Sequence, residues 1–498
     1  MLKGRRDAEP NFALYNVRDA RAETQEQTAA ALNALAARRG ETTAITGNHI
    51  SRWERGVVQP SRLHSQLLAE HFGVTPADLG LTRQRALPVG RRARTVVPLT
   101  DVADVLGLAD DTSAETDPRV VESQREWLYT RRAMSARRSA LARTVAQLYP
   151  TELRRAAGML LHPQWTPASL LDPADIELSF VPVAEQPEID GGEELTRHVR
   201  PLRGPGQRFT RYSHAVRDVA RPKLFENRPC WRLLDAAFSG SRGRLSFGHM
   251  NYFEGIDICE AVAHESAATH LANGGQVTAA SWRGLRLRKA IGDPFDLRRR
   301  ALLLSINTLT VRKDRTSASV LLHNRSADSV ATSGGVIGVM PAGVFQPSTV
   351  RTVDHSADFD LWRNMMREFS EELLGNPEHA GDGAGADYRA EPLRSLDAAR
   401  ASGGVRVYCL GIGMSALDLW GAVETVAVFD ADVFDEIFAG LVHVNDEGSV
   451  LRIGRSRPTV RVPLAKEVVE ELCATDRTAP ETAFSLRAAW KHRDRLLG

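Results

Sequence analysis

The sequence predicts a multidomain chain with an all-α N-terminal domain, a helical linker and an α+β C-terminal domain. Three observations carry this reading. Residues 12–80 hold helical patterns only, punctuated by caps and glycines. Residues 82–97 then carry five arginines and no acid, and residues 101–117 carry six acids and no base. From Ile176 onward, β-type apolar runs alternate with longer helical ones. With 498 residues the chain is long for one domain. The predicted division is 1–82, a charge-split linker 83–118, a long helix 119–150, a mixed α/β region 151–297 to which no role is assigned, and a domain over 298–498.

In chain order, "NFALYNVRDARAE" reads as a short amphipathic helix. "TQEQTAAALNALAARRG" opens on a Thr24 cap and stops at Gly40. "TGNHISRWERG" opens on Thr46 and stops at Gly56, with Ile50 and Trp53 inward and a polar outer face. "PSRLHSQLLAEHFG" runs from Ser61 to Gly73, and "TPADLGL" closes the set. Beyond the linker, Val120, Trp127, Met134, Leu141 and Leu148 recur every seven residues along one predicted helix. That line is either a stripe buried against the rest of the chain or a dimer contact through Trp127 and Met134. "ALLLSINTLTVRK", "SASVLLHNR", "GVRVYCLGIG" and "VETVAVFDAD" read as strands. "YFEGIDICEAVAHESAATHLA", "DLWRNMMREFSEELLG" and "FSLRAAWKHRDRLL" read as helices.

A formal net charge of +2 excludes a surface coated all over by nucleic acid, but leaves room for a local basic patch. Cys230, Cys259, Cys409 and Cys473 form no CxxC pair, as expected of a reducing compartment. No apolar run is long enough to cross a membrane, so a cytoplasmic location is expected. His264, Glu265 and His270 have the wrong spacing for a zinc site on one helix face. "SGGVIGVMPAG" lacks the Lys-Ser/Thr of a phosphate-binding loop. "LFENRPCWRLLD" is polar and aromatic, a surface with no assigned chemistry.

The stretch from "TQEQTAA" through "TGNHISRWERG" to "QPSRLHSQLLAEHFGVTPADLGL" resembles the Cro/repressor-type (XRE family) helix-turn-helix regulators of actinobacteria. In that fold the second helix of the pair enters the major groove. The resemblance makes Thr46–Glu54 the recognition helix. It implies DNA-facing residues Gln25, Thr46, Asn48, His49, Arg52 and Arg55. Asn48 suits adenine and Arg52 suits guanine, while Gln25 falls where the family touches a phosphate. Gly47 supplies no side chain at one usual contact position. Ala29 is the small residue that lets the helices approach, and "ALAARRGETT" lengthens the usual connection.

In "RNMMREFSEELLG", Glu368, Glu371 and Glu372 stand at i, i+3 and i+4, so a regular helix would put three carboxylates on one face. Arg367 and Glu371 are spaced to pair. The stretch resembles the Nudix box, with upstream "VLLHNRSADSVATSGGVIGVMPAGVFQPS" similar to the strand and glycine turn that precede it. The resemblance implies that Glu368, Glu371 and Glu372 hold a metal ion, Mg²⁺, and that a nucleotide-like small molecule binds. Two departures stand out. The box glycine comes one position late, at Gly375, and the spacing from Gly343 to Arg367 is stretched by residues that include Asp354, Asp358 and Asp360 but no matching glutamate. Glu447, in "NDEGSV", reads as an exposed turn.

The expected function is therefore a sequence-specific transcriptional regulator. It would act as a homodimer on a double-stranded DNA operator, with a C-terminal Nudix-like sensor and no membrane partner. The alternative is an enzyme, a Mg²⁺-dependent nucleoside-diphosphate hydrolase carrying a DNA-binding module.

Overall fold

The computed structural model describes residues 117–498 except 223–224, 275–283, 326–335, 351–354, 377–384, 442–443, 446–447 and 451–460. Within the first 116 residues it describes 11, 14, 17–18, 21, 23–39, 41, 43, 45–54, 60–74, 79 and 81. The charge-split linker and the predicted helix at "TPADLGL" thus fall almost wholly outside the described residues. The chain separates into two compact units, Met1–Thr112 and Ser113–Gly498.

The first unit is helical. Helix α1 (Gln25–Arg38) begins with a capping box, in which Thr24 and Gln27 satisfy each other's backbone N–H groups. Helix α2 (Gly47–Glu54) and helix α3 (Arg62–Phe72) follow. Ser61 caps α3, and Gly73 ends it at φ 67, where a residue with a Cβ would be strained. Leu14, Ala29, Leu32, Ile50, Trp53, Leu67, Leu68 and Phe72 form the core of this unit, so Ala29, Ile50 and Trp53 sit where the sequence places them.

The second unit holds the remaining predicted divisions, 119–150, 151–297 and 298–498, inside one body. The physical reason is a shared sheet. The longer strands and those beside them are β1 (Met159–Leu161), β2 (Ile176–Phe180), β3 (Pro229–Ser239), β4 (Arg242–Asn251), β5 (Leu302–Lys313), β6 (Ala318–Val320), β7 (Leu322–Arg325), β8 (Ile337–Val339), β9 (Ala342–Val344), β10 (Val405–Ser415) and β11 (Gly421–Asp430), with further short strands at Leu202–Gly204, Gln207–Arg208, Val444–Asn445, Gly448–Val450 and Val462–Pro463. One sheet runs β1-β10-β11-β5-β3-β4-β2, with β9 and β6 also paired to β5. Strand β3 joins β5 through Arg232↔Leu303 and Leu233↔Leu302, which bridges the expected boundary at 298.

The line of residues spaced by seven is not one helix. It divides into α4 (Pro118–Ala136) and α5 (Arg138–Ala146), broken at Arg137 with φ −118 and ψ 20. Arg138 is buried and donates to Asp418, so the direction of α5 is tied to a distant turn. Val120, Trp127, Met134 and Leu141 are all buried within this unit. Trp127 packs near Tyr212 and His264, and its Nε1 donates to Val199 O at 3.1 Å. The stripe therefore faces inward, and Trp127 and Met134 are not available to a second copy.

Helix α6 (Tyr252–Ala272) matches the predicted helix end for end and lies against α4 and α5. Strand β11 is buried over nine of its ten residues. Val423, Ala427 and Phe429 join one core, while Val426 and Val428 join another that includes α7 (Pro480–Lys491), which explains its unbroken apolar sequence. Between them Glu424 is fully buried, accepting from Asn307 Nδ2 at 3.0 Å and Ser485 Oγ at 2.9 Å. Burial raises its pKa well above 4.5, helped by the charge of Glu481 and opposed by those two hydrogen bonds.

A carboxyl whose pKa is raised on folding adds stability that is complete below its unfolded pKa and is lost as pH rises toward the folded value. Each pH unit climbed between those two values removes about 1.4 kcal/mol. Glu424→Gln, which stays neutral, is thus expected to raise the melting temperature at pH 7. The gain should vanish below the unfolded carboxyl pKa near 4.5. Thermal melts from pH 4 to 8 check this, and a loss of stability at pH 7 would contradict it.

Candidate functional site

The N-terminal unit is organised around Glu54, at the end of α2. Its carboxylate is buried and accepts Arg18 Nε at 2.6 Å on Oε1, and both Arg18 Nη2 at 3.4 Å and Gln25 Nε2 at 2.6 Å on Oε2. Its carbonyl accepts from Asn11 N at 2.6 Å. Trp53, one residue before, lies 5.1 Å from the His64 ring. Ile50 and Trp53 bury one face of α2, and this network fixes its C-terminal end.

The residues expected to meet DNA fall into three groups. Thr46, His49 and Arg52 are exposed, and Arg52 is held in no ion pair among the described residues. Thr46 N–H donates to His49 Nδ1 at 3.1 Å, with Thr46 Oγ1 2.9 Å from the same nitrogen. An accepting Nδ1 puts the ring proton on Nε2, so His49 offers a donor away from the cap. Gln25 is different: one N–H of its amide is committed to Glu54, so its placement is structural as well as peripheral. The side chain of Asn48, and all of Arg55, lie outside the described residues.

The longer connection has a local cause. Part of it extends α1 to Arg38, and the rest is tied to Asn33. Asn33 Nδ2 donates to Ile45 O at 2.8 Å, and its Oδ1 accepts from Ile45 N and Thr43 Oγ1, both at 2.9 Å. Arg39 pairs with Glu70. Gly47 is buried beside α1, where an added Cβ would meet only the movable end of the exposed Glu26 side chain, at 2.4 Å from Oε1.

In the second unit, the glutamates lie on a helix that runs as an α-helix over Leu361–Glu368 and as a π-helical turn over Phe369–Leu373. Gly375 ends it at φ 69, donating to Glu371 O, and Asn376 N donates to Ser370 O. A π turn takes up one extra residue, which accounts for the late glycine. Glu371 and Glu372 lie within this turn and Glu368 directly before it. Glu368 is half-buried against Gly343, where an added Cβ would lie 1.9 Å from its carboxylate. Glu371 is half-buried, and Glu372 is buried with Oε1 3.4 Å from Ala342 N. The expected Arg367–Glu371 pair is absent. Arg367 instead donates to Gln346 O at 2.6 Å and Asn364 Oδ1 at 2.8 Å, bracing the loop after β9.

Among the described residues no group of three or more His, Cys, Asp and Glu side chains is placed to hold a metal ion. Of the aspartates in the stretched segment, Asp360 caps the helix through Arg363 N. Asp358 is buried and accepts from Ser348 N at 2.8 Å, Ser348 Oγ at 2.7 Å and Tyr388 Oη at 2.6 Å. It pins two loops beside the helix start. Asp354 and Glu447 lie outside the described residues.

His264 and Glu265 belong to a buried network. Tyr212 Oη lies 3.0 Å from His264 Nδ1, and Glu265 accepts from Leu287 N and Arg288 N and lies 2.8 Å from His198 Nε2. Burial lowers the His264 pKa to about 3, so the ring stays neutral. The chemistry missed in the sequence is a clamp of three buried arginines on the β10–β11 turn. Arg138 donates to Asp418, Arg288 to Ala416 O and Leu417 O, and Arg300 to Leu419 O.

Residues 15–82 match the family model described as the SP15 N-terminal domain. The match lies within the helical unit Met1–Thr112 and ends at Thr82, ahead of the first arginine of the arginine-rich segment, so it says what this part of the chain is similar to and leaves the rest open. No curated protein matches the chain. Among the described residues no helix is long and apolar enough to cross a membrane.

Proposed function

We propose that the chain is a sequence-specific, DNA-binding transcriptional regulator of the helix-turn-helix type, with a C-terminal Nudix-like unit that senses a small, nucleotide-like ligand. The observation that carries this reading is the outer face of α2. Thr46, His49 and Arg52 are exposed there, while Ile50, Trp53 and Glu54 lock the opposite side into the core. An exposed arginine on a rigid helix suits the bidentate reading of a guanine edge. One such helix spans only a few base pairs, so a two-fold site read by two copies supplies the remaining specificity. The sensing role rests on the sequence resemblance around Glu368–Glu372. The hydrolase alternative needs a cation at Glu368, Glu371 and Glu372, and no catalytic step is derived through one.

Arg52→Ala is expected to cost about 1–3 kcal/mol on the preferred site and to relax preference at one base pair. Arg91→Ala, in the arginine-rich segment, should weaken all sequences alike and flatten the salt dependence. Titrations on preferred and scrambled duplexes at several salt concentrations separate the two. Equal loss on both duplexes for Arg52→Ala would show that it does not read a base.

A further inference from the structure

With Trp127 and Met134 turned inward, α4 leaves an opposite face in solvent. Its centre is Tyr129, which is 64% exposed. Glu126 lies one turn before it and Arg132 one turn after it, both exposed, and neither is held in an ion pair among the described residues. Ala133 and Ala136 on the same side leave room for a close approach.

We propose that two copies of the chain pair through these faces, antiparallel about a two-fold axis at Tyr129. Such an axis sets the residue three before Tyr129 against the residue three after it. Glu126 of one copy then meets Arg132 of the other, twice by symmetry. Arg125, four before, meets Ala133, and Glu122, seven before, meets Ala136 with Arg137 beside it. Parallel pairing would put Glu126 on Glu126 and Arg132 on Arg132. The charge order therefore selects the antiparallel register, and the two stacked Tyr129 rings supply the apolar contact. The proposal deepens the regulator reading, which needs two recognition helices. It is tested without DNA, so its failure and that of DNA reading are distinguishable.

The test is the mass of the full chain by sedimentation equilibrium. Wild type is expected at twice 54.7 kDa. Glu126→Arg and Arg132→Glu should each weaken the dimer at least about tenfold, because each puts like charges together. An equimolar mixture of the two variants should restore a dimer, since each carries the charge the other lacks. Tyr129→Ala should also dissociate it. All three positions are solvent-facing, and unchanged thermal melting of each variant shows that the fold is intact. A wild type at single-chain mass at every concentration, a dimer indifferent to these variants, or a mixture that stays monomeric overturns the proposal.

Discussion

Glu54→Ala is expected to unfold the N-terminal unit and abolish DNA binding, while leaving Ser113–Gly498 folded. Arg18 is buried against Glu54, and that carboxylate also receives the Gln25 amide. Removing it takes the carboxylate away from a buried guanidinium whose other contacts include Glu23 O at 2.5 Å. Breaking one side of a buried ion pair costs about 3–5 kcal/mol. That approaches the whole stability of a small domain, about 5 kcal/mol at the low end. Calorimetry of the full chain should lose one transition and keep the other, and binding should fall for every DNA sequence. Arg52→Ala should instead leave both transitions in place. A folded, DNA-binding Glu54→Ala variant would show that the Arg18–Glu54 pair does not hold this unit together.

Asp418→Ala is expected to destabilise the second unit by a similar amount, about 3–5 kcal/mol, for the same reason. Arg138 is buried, and Asp418 is its partner across the turn. The Asp418 carboxylate also accepts from Trp420 N at 3.1 Å, one residue beyond Leu419, which sits at φ 58. Without the side chain, the turn keeps its hydrogen bonds to Arg288 and Arg300, but Arg138 loses its ion-pair partner and keeps the charges of Glu481 and Glu260 nearby. Asp418→Asn retains an acceptor and should cost less. Denaturant melts of both variants decide it, and equal stability of Asp418→Ala and wild type would contradict the clamp.

The features legible in the sequence are those that local pattern controls. Strand β11 is buried on both faces and reads as a continuous apolar run, and α6 announces itself over its full length. Spacing alone places Ile50 and Trp53 inside. The break at Arg137 is not legible, because it carries neither glycine nor proline. Its direction is fixed by Asp418, 280 residues from Arg138. Arginines read as solvated, yet Arg138, Arg288 and Arg300 find their acceptors on one distant turn. The β3–β4 hairpin does leave a signal: Gly240-Ser241 separates two runs of β-type residues, and Gly240 takes φ 60 in the turn. Missing it makes "LFENRPCWRLLD" look like a surface, although its second half opens a central strand. The Glu368, Glu371 and Glu372 spacing is visible, but the π turn that carries Glu371 and Glu372 is signalled in the sequence only by one late glycine.

DNA reading by α2 is decided by selecting binding sites for the full chain from a pool of random DNA duplexes. The predicted result is enrichment of a two-fold site with half-sites about one helical turn apart. Arg52→Ala should still enrich it, with preference relaxed at one position in each half-site. A pool left unenriched by wild-type protein that is folded in both units would contradict the reading of α2 as a recognition helix.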